Sequence, residues 1–294
     1  MTTLQVPTPD GRELEVLVEG AEDGFPFLLH SGSPTAAVAY PPYDRAARER
    51  GLRLITCSRP GYGASSPRTG DHVVADDVTD VVTVLDAVGA SEFVTLGHSG
   101  GGPRALACAA LLPGRCLAAT SLAGVAPRDA AGLDWPAGMA EENQAEYAAA
   151  AAGHAAYDAH LTAEALPILT APADELALAL GGLLTDVDRA SLDPSYAAYL
   201  AEVFHRAAAQ GVVGIRDDGL VMMQPWGFDL AAVRVPVAVW QGDLDAMVPP
   251  AHGRWLAEHV AGARAHLLPD EGHLSITARM GEMLDELVAM AGLR

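Results

Sequence analysis

Gly97-His98-Ser99-Gly100-Gly101 is the segment whose residue types and spacing point most directly to chemistry. A serine between small residues, directly after a strand-like run and before a helix-like one, suits a sharp strand-to-helix turn. Such a turn strains the backbone of the serine and holds its hydroxyl clear of the chain. It also places Ser99 at a helix N-terminus, where free N–H groups and the helix dipole favour a developing anion. That combination predicts nucleophilic attack on a carbonyl, with the N–H of Gly100 facing the oxyanion. A bare G-x-S-x-G also occurs in inert glycine-rich turns, so the reading needs partners.

A nucleophilic serine needs a base and a group that orients the base. Two late loops supply candidates, each just past the C-terminal end of a strand-like run, where open α/β sheets place their sites. Gln241-Gly242-Asp243-Leu244-Asp245 follows Val235–Trp240, and Pro269-Asp270-Glu271-Gly272-His273 follows Ala265–Leu268. His273 is the expected base and Asp245 the expected acid. Asp243 competes with Asp245, and Asp129 is an outside candidate. His252, His259 and His266 read as surface or packing residues. A second oxyanion donor is expected from the turn-rich loop His30-Ser31-Gly32-Ser33-Pro34, at Gly32 before Ser33.

The elements that must position these residues follow from the hydrophobic pattern. Short apolar runs at 13–18, 25–30, 52–57, 93–96 and 117–122 alternate with helical segments at 43–50, 76–88 and 103–112. This is the pattern of a parallel sheet covered on both faces. From about 128 to 228 the chain is alanine-rich and helical, with segments expected at 141–160, 173–184 and 195–210. Strand–helix alternation then returns: strands at 235–240 and 265–268, helices at 254–260 and 276–290.

With these motifs in place the chain resembles the α/β-hydrolase fold superfamily, in its serine-nucleophile branch with a helical cap. The resemblance rests on the loop at 30–34, Arg59-Pro60-Gly61-Tyr62-Gly63, the turn at 97–101, Gly242 through Pro249, and Gly272-His273. It implies a mostly parallel central sheet flanked by helices, with 1–127 and 229–294 as the core and 128–228 as an inserted cap. Ser99, Asp245 and His273 then match the catalytic residues. Ser31, His98, Met223 and Trp226 are the expected substrate-binding residues. Two positions depart from the family pattern: Ser31 stands where a glycine is usual, and Ser58 where an aspartate usually precedes Arg-Pro-Gly. The haloalkane dehalogenase and epoxide hydrolase branches use Asp at the turn, where this chain has Ser99.

Composition narrows the function classes. The 294 residues carry 18 basic against 38 acidic side chains, for a net charge of −20, and every basic residue is Arg. Without Lys, a Schiff-base aldolase, a PLP enzyme and a Walker-A NTPase are excluded. The acidity argues against a nucleic-acid partner. Cys57, Cys108 and Cys116 form no disulfide framework or metal-like spacing. No signal peptide and no apolar stretch long enough to span a membrane is read in the sequence. The expectation is a cytoplasmic enzyme needing no cofactor or metal and acting on a small molecule, as a monomer or a homodimer.

The leading function is hydrolysis of an ester, lactone, thioester or amide of a small, largely apolar substrate. The alternatives are a non-hydrolytic activity of the same fold (cofactor-free haloperoxidase or perhydrolase, C–C hydrolase, lyase, acyl transferase) and a ligand-binding protein that retains the three residues.

Overall fold

The computed structural model describes residues 1–293. Eight strands form one sheet: β1 Thr2–Pro7, β2 Glu13–Gly20, β3 Phe25–His30, β4 Leu52–Cys57, β5 Phe93–His98, β6 Cys116–Leu122, β7 Val237–Gly242 and β8 Arg264–Leu268. Their spatial order is β1-β2-β4-β3-β5-β6-β7-β8. β2 runs antiparallel to both β1 and β4, and the pairs from β4 to β8 are parallel. β1 was not anticipated from the sequence. Its alternating exposed and covered residues make it an edge strand that buries little.

The central strands are buried along nearly their whole length because both faces are covered. Helices α2 Asp77–Ala87 and α3 Gly102–Leu111 belong to one face, together with α11 Pro250–His259. On the other face α1 Pro41–Glu49 and α12 Met280–Met290 cover Phe27, Leu54, Leu96 and Leu122. The apolar spacing of Met280, Leu284 and Leu287 buries one stripe of α12 there.

Between β6 and β7 the chain forms no strand and is mostly helical from Glu141 to Met222. It forms α4 Glu141–Ala151, α5 His154–His160, α6 Leu166–Leu169, α7 Leu176–Ala179, α8 Asp186–Ser191, α9 Pro194–Ala207 and α10 Val213–Met222. The single helix expected over 141–160 is broken in two. Gly153 takes φ 106°, a conformation that a side chain would disfavour and that a helix cannot contain. The segment expected over 173–184 forms a helix only at α7. α8, which the sequence pattern did not reveal, carries a residue important below.

The sheet changes winding direction at its middle. β4 lies outward of β3, and the chain then returns to β5 and continues away on the other side. Loops leaving β3 and β5 therefore diverge and open a crevice at their C-terminal ends. Ser99 stands at that crevice.

Candidate active site

Ser99 follows β5 directly, with φ 54°, inside the left-handed region that L residues avoid. The neighbouring glycines make this turn feasible. A Cβ at Gly97 would collide with the Gly101 carbonyl, and one at Gly101 with the carbonyl of His30 on β3. A single turn at 99–101 leads into α3, so the hydroxyl is presented at a helix entrance.

His273 and Asp245 meet from the loops after β8 and β7. Asp245 Oδ2 accepts a hydrogen bond of 2.7 Å from His273 Nδ1 and one of 3.1 Å from the Gln241 amide. Its Oδ1 accepts from the N–H groups of Met247 and Val248 at 2.9 and 2.8 Å. Every lone-pair direction of this buried carboxylate is thus used, which fixes its orientation. Burial pushes the His273 imidazole down. The charge and hydrogen bond of Asp245, with the charge of Asp188, outweigh burial and hold its pKa above the usual imidazole value. With Nδ1 committed to Asp245, Nε2 is the ring nitrogen left free for the cavity.

Asp243 is turned outward to an ion pair of 2.6 Å with Arg254, and Asp129 is exposed. Neither approaches the histidine. His252 is a packing residue, accepting from Ala126 N–H at 3.0 Å and bonding to the Trp135 carbonyl at 2.9 Å. His98 stacks at 4.8 Å from the His273 ring and bonds its carbonyl at 3.2 Å. Burial, helped by His273, pushes the His98 pKa down to about 3, so its ring stays neutral.

The loop after β3 is held from behind by arginine. Arg59 donates to the carbonyls of Ser31 and Gly32 at 2.7 and 2.8 Å. In a trans peptide the N–H points opposite to the carbonyl, so the N–H groups of Gly32 and Ser33 face away from Arg59. Arg104 in α3 holds the Gly100 carbonyl, in the peptide that carries the Gly101 N–H, at 2.6 Å and pairs with Asp77 of α2 at 2.8 Å. Both guanidinium groups converge on Asp218 of α10, at 2.5 Å for Arg59 and 2.7 Å for Arg104. The Ser33 and Tyr62 hydroxyls also donate to Asp218, at 2.5 and 3.1 Å. Burial would raise the Asp218 pKa, but the two arginines, with Ser33, hold it well below the usual carboxylate range.

A second carboxylate from the helical insertion supports the histidine loop. Asp188 of α8, fully buried, accepts from the N–H groups of His273 (3.2 Å), Leu274 (2.8 Å) and Ser275 (3.0 Å). Sequence reasoning missed both Asp188 and Asp218. The one local signal is Thr185, three residues before Asp188, whose hydroxyl bonds it at 3.0 Å.

Ser58, where the family resemblance led one to expect an acid, works with a substitute. Its hydroxyl donates at 2.7 Å to the buried carboxylate of Glu15 on β2 and accepts from Ala37 N–H at 2.8 Å. Arg206 of α9 pairs with the other oxygen of Glu15.

A cavity of about 200 Å³ joins these groups. Ser31, Gly32, His98, Ser99, Gly100 and His273 line it from the core side; Asn143, Tyr147, Tyr199, Phe204 and Met222 are among those lining it from the insertion. Met223 and Trp226, expected in this wall, are elsewhere. Met223 points to the cluster around Tyr62 and Tyr157, one helical step from Met222, and Trp226 is buried against Phe228. Among the described residues no group of three or more His, Cys, Asp or Glu side chains is arranged to hold a metal. No described helix is long and apolar enough to cross a membrane.

Comparison with known proteins agrees with this architecture. Residues 26–277 match the family described as alpha/beta hydrolase fold. A putative carbamate hydrolase of Variovorax paradoxus is 28% identical over 258 residues, 87% of each chain. A non-heme chloroperoxidase of Streptomyces lividans is 31% identical over 123 residues, 42% of this chain and 45% of that protein. Among solved structures, a thermophilic esterase from Thermogutta terrifontis superposes with TM-score 0.70 at 20% identity, covering 99% of both chains. An enol-lactonase from Burkholderia xenovorans does so with TM-score 0.68 at 18% identity, covering 98% of this chain and all of that one. At such identities the structural likeness speaks for the fold alone. The sheet order, the glycine-walled turn at Ser99 and the family match over most of the chain agree: the chain belongs to the α/β hydrolase fold family.

Proposed function

We propose that the protein is a serine hydrolase of the carboxylesterase type, cleaving an ester, lactone, thioester or amide of a small, largely apolar substrate. The observation that carries this reading is the buried Asp245–His273 pair opening on the same cavity as Ser99. In the proposed reaction Ser99 Oγ attacks the carbonyl carbon while His273 Nε2 takes its proton. Asp245 holds the imidazole tautomer and stabilises the imidazolium. The oxyanion is received by the N–H of Gly100 and by that of Gly32, turned toward the cavity by the grip of Arg59 on the Ser31 carbonyl. His273 then returns the proton to the leaving group, and water releases the acyl group by the reverse sequence. Residues 128–228 act as a cap that excludes water and sets substrate size.

The test is labelling with a fluorophosphonate probe and hydrolysis of p-nitrophenyl butyrate. Wild type should do both, and Ser99→Ala should lose labelling and on the order of 10⁴ or more in kcat. More than a tenth of the activity remaining would overturn the reading. The likeness to the Streptomyces chloroperoxidase favours a second activity at the same site. There hydrogen peroxide replaces water on the acyl-enzyme and releases a peracid. Peroxide-dependent bromination of monochlorodimedone in acetate buffer, absent in Ser99→Ala, identifies it.

A further inference from the structure

The cavity wall supplied by α4 differs in chemistry from the rest. Most of the lining is aliphatic or aromatic, but Asn143, Glu146 and Tyr147 all face the cavity from this one helix. Positions i, i+3 and i+4 share a helix face, so the three form a continuous polar strip. Glu146 Oε1 accepts from the Tyr157 hydroxyl at 2.7 Å, which fixes the carboxyl group. Its Oε2 has no hydrogen-bond partner among the described residues. Asn143 donates its amide N–H to the Met247 carbonyl at 3.0 Å. That leaves Asn143 Oδ1, on the other side of the amide, as an acceptor. Asp218 also borders the cavity, but its oxygens are taken up by Arg59, Arg104, Ser33 and Tyr62. Burial raises the pKa of Glu146, against the Tyr157 hydrogen bond and His160. Glu146 is half-buried, and its uncommitted acceptor oxygen is open to the cavity, where a substrate donor can replace water on it.

We propose that Glu146, with Asn143, forms a subsite for a hydrogen-bond donor on the substrate, so that the physiological substrate carries a hydroxyl or ammonium group on an otherwise apolar chain. This rests on the serine-hydrolase reading of the same cavity. A site built to bond a donor rejects the analogue that lacks it far more strongly than an apolar pocket distinguishes one methylene.

The experiment compares three p-nitrophenyl esters, of hexanoic, 6-hydroxyhexanoic and 6-aminohexanoic acid, and three acetate esters, of hexan-1-ol, hexane-1,6-diol and 6-aminohexan-1-ol. The first series probes a donor on the acyl side and the second a donor on the alcohol side. The readout is the ratio of kcat/KM for the donor-bearing ester to that for its plain partner. In at least one series wild type should favour a donor by on the order of 10- to 100-fold. Glu146→Gln replaces one carboxylate oxygen by an N–H donor and should bring that ratio to about 1. Glu146→Ala should do the same, which guards against one variant misfolding, and thermal melts confirm that both are folded. Preference for the amino ester identifies an ammonium as donor; preference for the hydroxy ester identifies a neutral one. Ratios near 1 in wild type in both series, or a preference that survives in both variants, overturns the subsite. Fluorophosphonate labelling and turnover of the plain esters separate this outcome from failure of the hydrolase reading, in which both would be absent.

Discussion

Ser99 carries a conformational strain that its neighbours impose. A non-glycine residue at φ 54° costs on the order of 1–2 kcal/mol. Ser99→Gly should therefore leave the protein about 1 kcal/mol more stable to urea while removing its activity, the trade-off expected where a strained residue serves a reaction. Equal or lower stability would mean that the turn is relaxed as built. The wall residues give a second expectation. Met222→Ala should raise KM for long-chain esters more than for acetate, because it removes binding shared by ground and transition states. Trp226→Ala should instead cost about 3–5 kcal/mol of stability, through the cavity left beside Phe228, with little change in chain-length preference. Steady-state kinetics and denaturation on the two variants check this. Strand ends drew attention to Ser99, Asp245 and His273, but Asp243 follows the same strand as Asp245, and only the fold shows it turned to Arg254 while Asp245 meets His273. The sequence did not distinguish Met222 from Met223. Only the phase of α10 against the core decides which of two adjacent methionines meets the cavity, and that phase comes from tertiary packing.

At the scale of elements, long periodic segments were legible and short ones were not. α2, α3 and α9 lie within a few residues of the expected helices. α8 has six residues and no apolar stripe, so nothing in its pattern announces that Asp188 is buried against three backbone N–H groups. That burial has a measurable consequence. Asp188 is one of the charges that raise the His273 pKa. In the proposed reaction His273 must be neutral to accept a proton, so activity should fall as pH drops through that raised pKa. Asp188→Asn should move the acid limb of the kcat/KM profile to lower pH, by a few tenths to one unit, and lower its plateau about tenfold. A loss of stability with an unmoved acid limb would restrict Asp188 to a structural part.

Across the whole molecule, the alternating pattern of the two ends and the alanine-rich middle were enough to read a covered parallel sheet with an inserted helical segment. How the insertion is attached was not readable, because the ion pairs and hydrogen bonds that attach it join residues far apart in the chain. Asp218 meets Arg59 and Arg104, Asp188 meets the loop of His273, and Arg206 meets Glu15. Removing one partner of a buried ion pair leaves the others uncompensated, at a cost of about 3–5 kcal/mol. Asp218→Ala should therefore lower stability by that amount, and Asp218→Asn by less. Wild type should unfold in one calorimetric transition, the insertion together with the sheet. A separate early transition for the insertion would contradict these attachments.

Arg59 and Arg104 grip backbone carbonyls on opposite sides of Ser99 and end on the same carboxylate. Asp218, from the insertion, is the one carboxylate common to both arginines, but Arg104 has a second in Asp77 of α2. A displacement of α10 would leave Arg104 held by Asp77 and free Arg59, so the Ser31 and Gly32 peptides would loosen before the Gly100 carbonyl. A partly displaced insertion should then slow each working site before it removes any, which active-site titration read beside turnover measures.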